Sequence, residues 1–128
     1  VHLHVFNSRG ELYLQKRPAW KDIQPGRWDT AVGGHVDYGE TVGEALRREV
    51  REELGITDFV PGAVAVYPFR SECEYELVHV FRTVYDGEVR PSGELDGGRF
   101  WSPDEIRENL GRGLFTPNFE GEVGLILG

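Results

Sequence analysis

Residues 34 to 56 read GHVDYGETVGEALRREVREELGI, and three carboxylates, Glu49, Glu52 and Glu53, fall within five residues of one expected helix. At ~100° per residue they share one arc of its surface. Like charges three and four apart on a helix repel, by roughly a few tenths of a kcal/mol per pair, so Glu49 beside both Glu52 and Glu53 calls for a partner. A hard divalent cation is such a partner, because carboxylate oxygens together with phosphate and water oxygens are its usual ligands. The plain alternative is a solvated helix laced with ion pairs, since Glu44 and Arg48, and Arg48 and Glu52, also stand four apart.

The framing residues favour the first reading. Thr41-x-x-Glu44 reads as a capping box that starts the helix, and Gly55 after Leu54 as its left-handed stop. Val42, Leu46, Val50 and Leu54 recur at fours and predict a buried stripe beside the acidic arc. Upstream, residues 31 to 39 form an expected loop in which Gly33-Gly34 lets backbone approach a ligand closely. A glycine loop therefore feeds a carboxylate helix.

This stretch resembles the Nudix box, G-x5-E-x7-R-E-U-x-E-E-x-G-U with U aliphatic, at every specified position: Gly34, Glu40, Arg48, Glu49, Val50, Glu52, Glu53, Gly55 and Ile56. The resemblance implies an α/β/α sandwich with a mixed sheet between helices, and a Mg²⁺- or Mn²⁺-dependent hydrolase of a diphosphate linked to another group. It further implies that Glu49, Glu52 and Glu53 hold the metals and that one of them or a nearby acid activates water. Arg48 and Glu40 would brace the helix and loop, with Gly34 and Gly55 as the structural glycines of the box.

The whole chain sets limits on that reading. Its 128 residues, 39% hydrophobic and 28% charged, suit one globular domain over residues 1 to 128. The formal charge of −8 argues against general nucleic-acid binding, which asks for a basic surface, yet leaves room for a phosphorylated small molecule. One cysteine, Cys73, cannot close an internal disulfide and fits a reducing compartment. No apolar run is long enough to span a bilayer, so the expectation is a cytoplasmic protein without membrane contact.

Along the chain, residues 1 to 17 read as a hairpin turning at Asn7-Ser8-Arg9-Gly10. His2 and His4 would share one face of its first strand, where a pair spaced by two is a metal-binding pattern but more often ordinary strand chemistry. Lys16, Arg17 and Arg27 are cations near the glycine loop that are candidates for phosphate contact, and Trp28 is a candidate for stacking on a substrate, with packing under the loop as the plainer role. Residues 30 to 32, 59 to 69, 76 to 85 and 99 to 102 read as strands. Ser102-Pro103 starts a helix, and the tail after Thr116-Pro117 reads as a short helix made doubtful by its glycines. An exposed edge strand or the hairpin is a place for a second copy, so a homodimer is one expectation.

A second resemblance is narrower. HVFNSRGELYLQKR followed by PGRWDTAVGGHV is similar to the isopentenyl-diphosphate isomerase branch of the same fold. In that branch histidines and a later Glu-x-Glu pair hold a metal, and a loop cysteine moves protons. His35, Glu74, Glu76 and Trp101 fall at matching positions, whereas the cysteine position is Gly33. Without that thiol, isomerisation loses one acid/base partner, while the box is complete for hydrolysis. Glu74 and Glu76 remain candidates for an extra metal ligand or base, as do His35 and Glu94. A hydrolase of a small-molecule diphosphate is the leading expectation, ahead of an isomerase-like enzyme and of a non-catalytic binder of a phosphorylated ligand.

Overall fold

Alternation along the first strand decides which helix packs on which face. In β1 (His2–Phe6), Leu3 and Val5 enter one core, with Leu46, Val50 and Leu54 of α1 (Val42–Leu54). Phe6 enters the other, with Ile106 of α2 (Pro103–Asn109) and with Phe119, Val123 and Ile126 of α3 (Pro117–Ile126). His4 shares that second face, its ring 6.2 Å from Phe119. Helices thus cover both faces of the sheet, as the period of two in a strand requires. The structure is a computed structural model, and it describes residues 1–18, 26–70, 75–91 and 97–127.

The sheet is mixed, as expected from the resemblance. β1 runs parallel to β6 (Tyr75–Val84) along its whole length, and β5 (Gly62–Arg70) pairs antiparallel with β6 at the edge. On its other side β1 meets β2 (Leu12–Lys16), but only through Val5 with Tyr13 and Phe6 with Leu12. The hairpin then splays. Between its open ends enters a bent strand, β3 (Trp28–Thr30) and β4 (Val32–Gly33), which pairs with β2 through Thr30, Asp29 and Trp28 and with β1 through Val32 and Gly33. β7 (Gly98–Trp101) lines the far side of β2. The wedge carries Gly33 and Gly34 into the middle of the sheet.

Helix α1 begins and ends where its caps predict: Thr41 and Glu44 form the reciprocal capping box, and Gly55 adopts φ 68°. Its stripe is buried at Leu46, Val50 and Leu54, with Ala45 added and Val42 half-buried. The tail settles into a helix despite Gly121 and Gly124. Both glycines lie on its exposed side, while Thr116 caps it, Pro117 opens it, and Phe119, Glu122, Val123 and Ile126 form a buried row at spacings of three and four. Among the described residues no helix is long and apolar enough to cross a membrane.

That row predicts an uneven response to truncation. Phe119→Ala removes a fully buried ring packed 5.3 Å from Phe115 and should cost ~3–5 kcal/mol in urea unfolding. Leu125→Ala, on the exposed side of the same helix, should cost no more than ~0.5 kcal/mol. Equal losses would show that α3 is not seated as described.

Candidate active site

The carboxylates of α1 meet the glycine loop at closest range through Glu49. A Cβ added to Gly34 would run into the Glu49 carboxylate, so glycine is the residue that lets this side chain lie against the loop. Arg48 locks the arrangement. Its Nε and Nη2 donate to both oxygens of Glu40 at 2.8 and 2.9 Å, Nη1 donates to Glu49 at 2.8 Å, and Nη2 also donates to the His35 carbonyl at 3.0 Å. Asp37 and the more exposed Glu52 stand at 3.3 and 3.4 Å from the same guanidinium. Hydrogen bonds from Arg48, then from the Asp37 backbone, hold the Glu40 carboxyl down at about 2, and those partners keep Arg48 above the ordinary arginine range. A planar fork suits this role, because one guanidinium can join several carboxylates and a carbonyl.

Glu53, one turn after Glu49, lines a cavity of about 650 Å³ together with His2, Arg17, Asp29, Gly33, Gly34 and Glu76. Burial, followed by the nearby Glu49 charge, pushes its carboxyl up to about 8, against a backbone hydrogen bond from Gly33 that lowers it. Its Oε2 is buried and has no hydrogen-bond partner among the described residues. An orphaned carboxylate oxygen in a polar cavity, with Glu49 and Glu52 on the same helix, fits a hard divalent cation. Among the described residues no three ligand-type side chains are already gathered closely enough to hold an ion as they stand. Arg48 instead engages one oxygen each of Glu49 and Glu52.

The remaining candidates separate. His35 on the loop reaches Glu76 of β6, Nδ1 to Oε2 at 3.4 Å. Arg17 lines the cavity beside Asp29, 3.7 Å away, and Asp29 in turn accepts from Thr116 Oγ1 at 2.8 Å. Lys16, Arg27 and Trp28 do not line it. Trp28 packs edge-on to Trp101 at 5.3 Å against the α2 and α3 core, not under the glycine loop as the plainer of its two expected roles had it. Trp101 is buried in that same core and not in the cavity, so its match to the isomerase position brings it no ligand contact there. Glu74, Glu94 and Cys73 lie outside the described residues.

Sequence reasoning missed one cluster. Glu122, 1% exposed, takes hydrogen bonds from His2 Nδ1 at 2.5 Å, His4 Nε2 at 2.8 Å and Tyr67 Oη at 2.6 Å. The two histidines of β1 therefore share a carboxylate instead of a metal. Burial pushes Glu122 up, but the hydrogen bonds from His2 and His4 outweigh it and leave the carboxyl below the usual range. Tyr67 is pushed up, by burial first and then by its bond to Glu122. The available signal was an acid placed within the apolar row of the tail, three after Phe119 and four before Ile126.

A NUDIX domain family model matches residues 1–119. An uncharacterised Nudix hydrolase of Pseudomonas aeruginosa is 38% identical over 101 residues, which is 78% of this chain and 60% of that protein's length. The isopentenyl-diphosphate Delta-isomerase of Saccharopolyspora erythraea is 36% identical over 107 residues, 77% of this chain and 54% of that one. In three dimensions the chain matches a crystal structure from Deinococcus radiodurans with a TM-score of 0.84 and 25% identity, over 99% of this chain and 81% of the other. With its box complete and its sheet, helices and glycine loop arranged around it, the chain belongs to the Nudix hydrolase family, whose members generally use divalent metal ions.

Proposed function

We propose that residues 1 to 128 form one domain that hydrolyses the phosphoric anhydride of a small-molecule diphosphate with Mg²⁺ or Mn²⁺. The observation that carries the proposal is Glu53: a cavity-lining carboxyl with an oxygen that has no partner among the described residues, raised to about 8 by burial and by Glu49, and seated against the backbone of Gly33. Glu49, Glu52 and Glu53 would hold the cation, which when bound lowers the pKa of water and neutralises charge on the phosphoryl oxygens. Glu53, which lines the cavity with one oxygen that has no hydrogen-bond partner among the described residues, would take the proton of the attacking water. Arg48 holds Glu49 and the loop in register, and Arg17 supplies a cation on the cavity wall for a phosphate oxygen. The similarity to an isomerase supports a second reading, but Gly33 offers no thiol for proton transfer at carbon.

Two measurements test this proposal. A panel of diphosphate compounds assayed with Mg²⁺ and with Mn²⁺ should show phosphate-ester release by the wild type, and Glu53→Gln should reduce kcat at least ~100-fold while the protein stays folded. Unchanged turnover in that variant would refute the assignment. The second is thermal stability in EDTA. The unfolded Glu53 carboxyl ionises near its ordinary value of 4.5 and the folded one at about 8, so the folded state binds more protons between those limits. Stability should therefore fall as pH rises from 4.5 to 8, by on the order of a few kcal/mol from this group. Glu53→Gln should melt higher than wild type at pH 8 and close to it at pH 4.5, with Mg²⁺ narrowing the gap. A constant difference across that range would mean that Glu53 is not held in the environment described.

A further inference from the structure

A buried carboxylate with three donors costs desolvation on every member, so the Glu122 cluster asks what it is for. Its place on α3 is in the apolar row with Phe119, Val123 and Ile126, where a hydrophobic side chain would pack without that cost. Of its three partners His4 is fully buried, whereas His2 lines the cavity that also holds Glu53. Glu122 occupies Nδ1 of His2, which sets the ring orientation, and the opposite edge of the ring, Cδ2 and Nε2, lies over Gly33. Gly33 is also the residue whose backbone hydrogen-bonds Glu53. Two proton-carrying side chains, one from each face of the sheet, thus flank a single glycine at the wall of one cavity.

We infer that His2, backed by Glu122, is a further catalytic residue of this site, the general acid whose Nε2 proton goes to the leaving phosphate oxygen. The inference rests on the hydrolase reading and adds the proton donor that it lacks. Attack of water forms one P–O bond and breaks the bridging one. The bond pair stays on the bridging oxygen, which takes the Nε2 proton, while the water proton passes to Glu53. Transfer from Glu53 to His2 through solvent restores both groups, with one water consumed. Glu122 is the positioning residue: it fixes the ring through Nδ1 and pairs with its charge when both nitrogens are protonated. His4 and Tyr67 complete the carboxylate's hydrogen bonds from inside the protein.

The test uses His2→Asn, whose amide still donates towards Glu122 but has no counterpart of Nε2. With ADP-ribose and Mg²⁺ as probe, kcat should fall ~100-fold and KM change less than ~3-fold. With p-nitrophenyl thymidine 5′-monophosphate, whose leaving group needs no proton, the loss should shrink to less than ~5-fold, which a merely structural defect would not do. Independently, the ¹⁵N resonance of His2 Nε2 in the wild type should move on adding inorganic pyrophosphate with Mg²⁺, and that of the buried His4 should not. A His2→Asn enzyme with unchanged kcat, an equal loss on both probes, or an unmoved His2 resonance would overturn the inference. If the wild type cleaves neither probe, the hydrolase reading is what fails for those compounds, and the nitrogen resonance alone decides whether His2 meets a phosphate.

Discussion

One guanidinium holds the site in one piece. Arg48 reaches two carboxylates of its own helix, both oxygens of Glu40 and a carbonyl of the loop, so the position of the glycine loop and that of the acidic helix are a single variable. Without that cation, Glu40, Glu49 and Glu52 would repel one another along the loop and helix, each more strongly for being partly shielded from water. With it, Glu49 can press against Gly34, a contact that any Cβ there would prevent. What the clamp sets is geometry, since it fixes where the loop and the helix meet. This is how an acidic helix can exist as a folded element before any cation reaches it.

What the clamp leaves unsettled is Glu53. It is outside Arg48's reach in the contacts seen, and one of its oxygens is buried with no hydrogen-bond partner among the described residues. The division of labour follows from their partners. Glu49 and Glu52 lie within reach of Arg48, while Glu53, about 40° round the helix from Glu49, lines the cavity beside Gly33. Three acids close in sequence therefore differ in their surroundings: two are held by a cation of the protein, and one has a buried oxygen with no hydrogen-bond partner among the described residues.

The sequence disclosed the parts of this whose signal is local. The Thr41 capping box, the Ser102 cap, the Gly55 stop, the Leu46-Val50-Leu54 stripe and the period of two in β1 each depend on neighbours a few residues away, and each appears as read. The Arg48 pair with Glu52 was visible for the same reason, whereas Glu44, the other acid four residues from Arg48, accepts from the Thr41 backbone in the capping box, and the brace to Glu40 was implied by the resemblance to the box. The Glu122 cluster was hidden because Glu122 stands at least 55 residues from each of its partners, which lie in two other elements, and because glycines weakened the case for the helix carrying it. Lys16, Arg27 and Trp28 were chosen for proximity in sequence to the loop, but strand alternation and the splayed hairpin send them elsewhere. The strand wedge itself, β3 and β4 entering between β1 and β2, has no signal in any single stretch, since it is a property of register.

That wedge is also where the two faces of the sheet come together. A sheet ordinarily isolates its faces, and here one face carries α1 with its three glutamates and the other carries α3 with Glu122. Where β1 and β2 part, the sheet is one strand thinner in side chains, because Gly33 and Gly34 bring backbone and nothing else. Through that gap a group from each face can reach the same space: Glu53 from beneath the loop and His2 from the end of β1, each anchored behind by its own layer. An acid and a base held by separate rigid layers keep their spacing without depending on a flexible loop, and separate anchors let their environments be tuned independently. The two glycines at the centre thus serve more than close approach to a ligand; they are the opening by which both helical layers share one cavity.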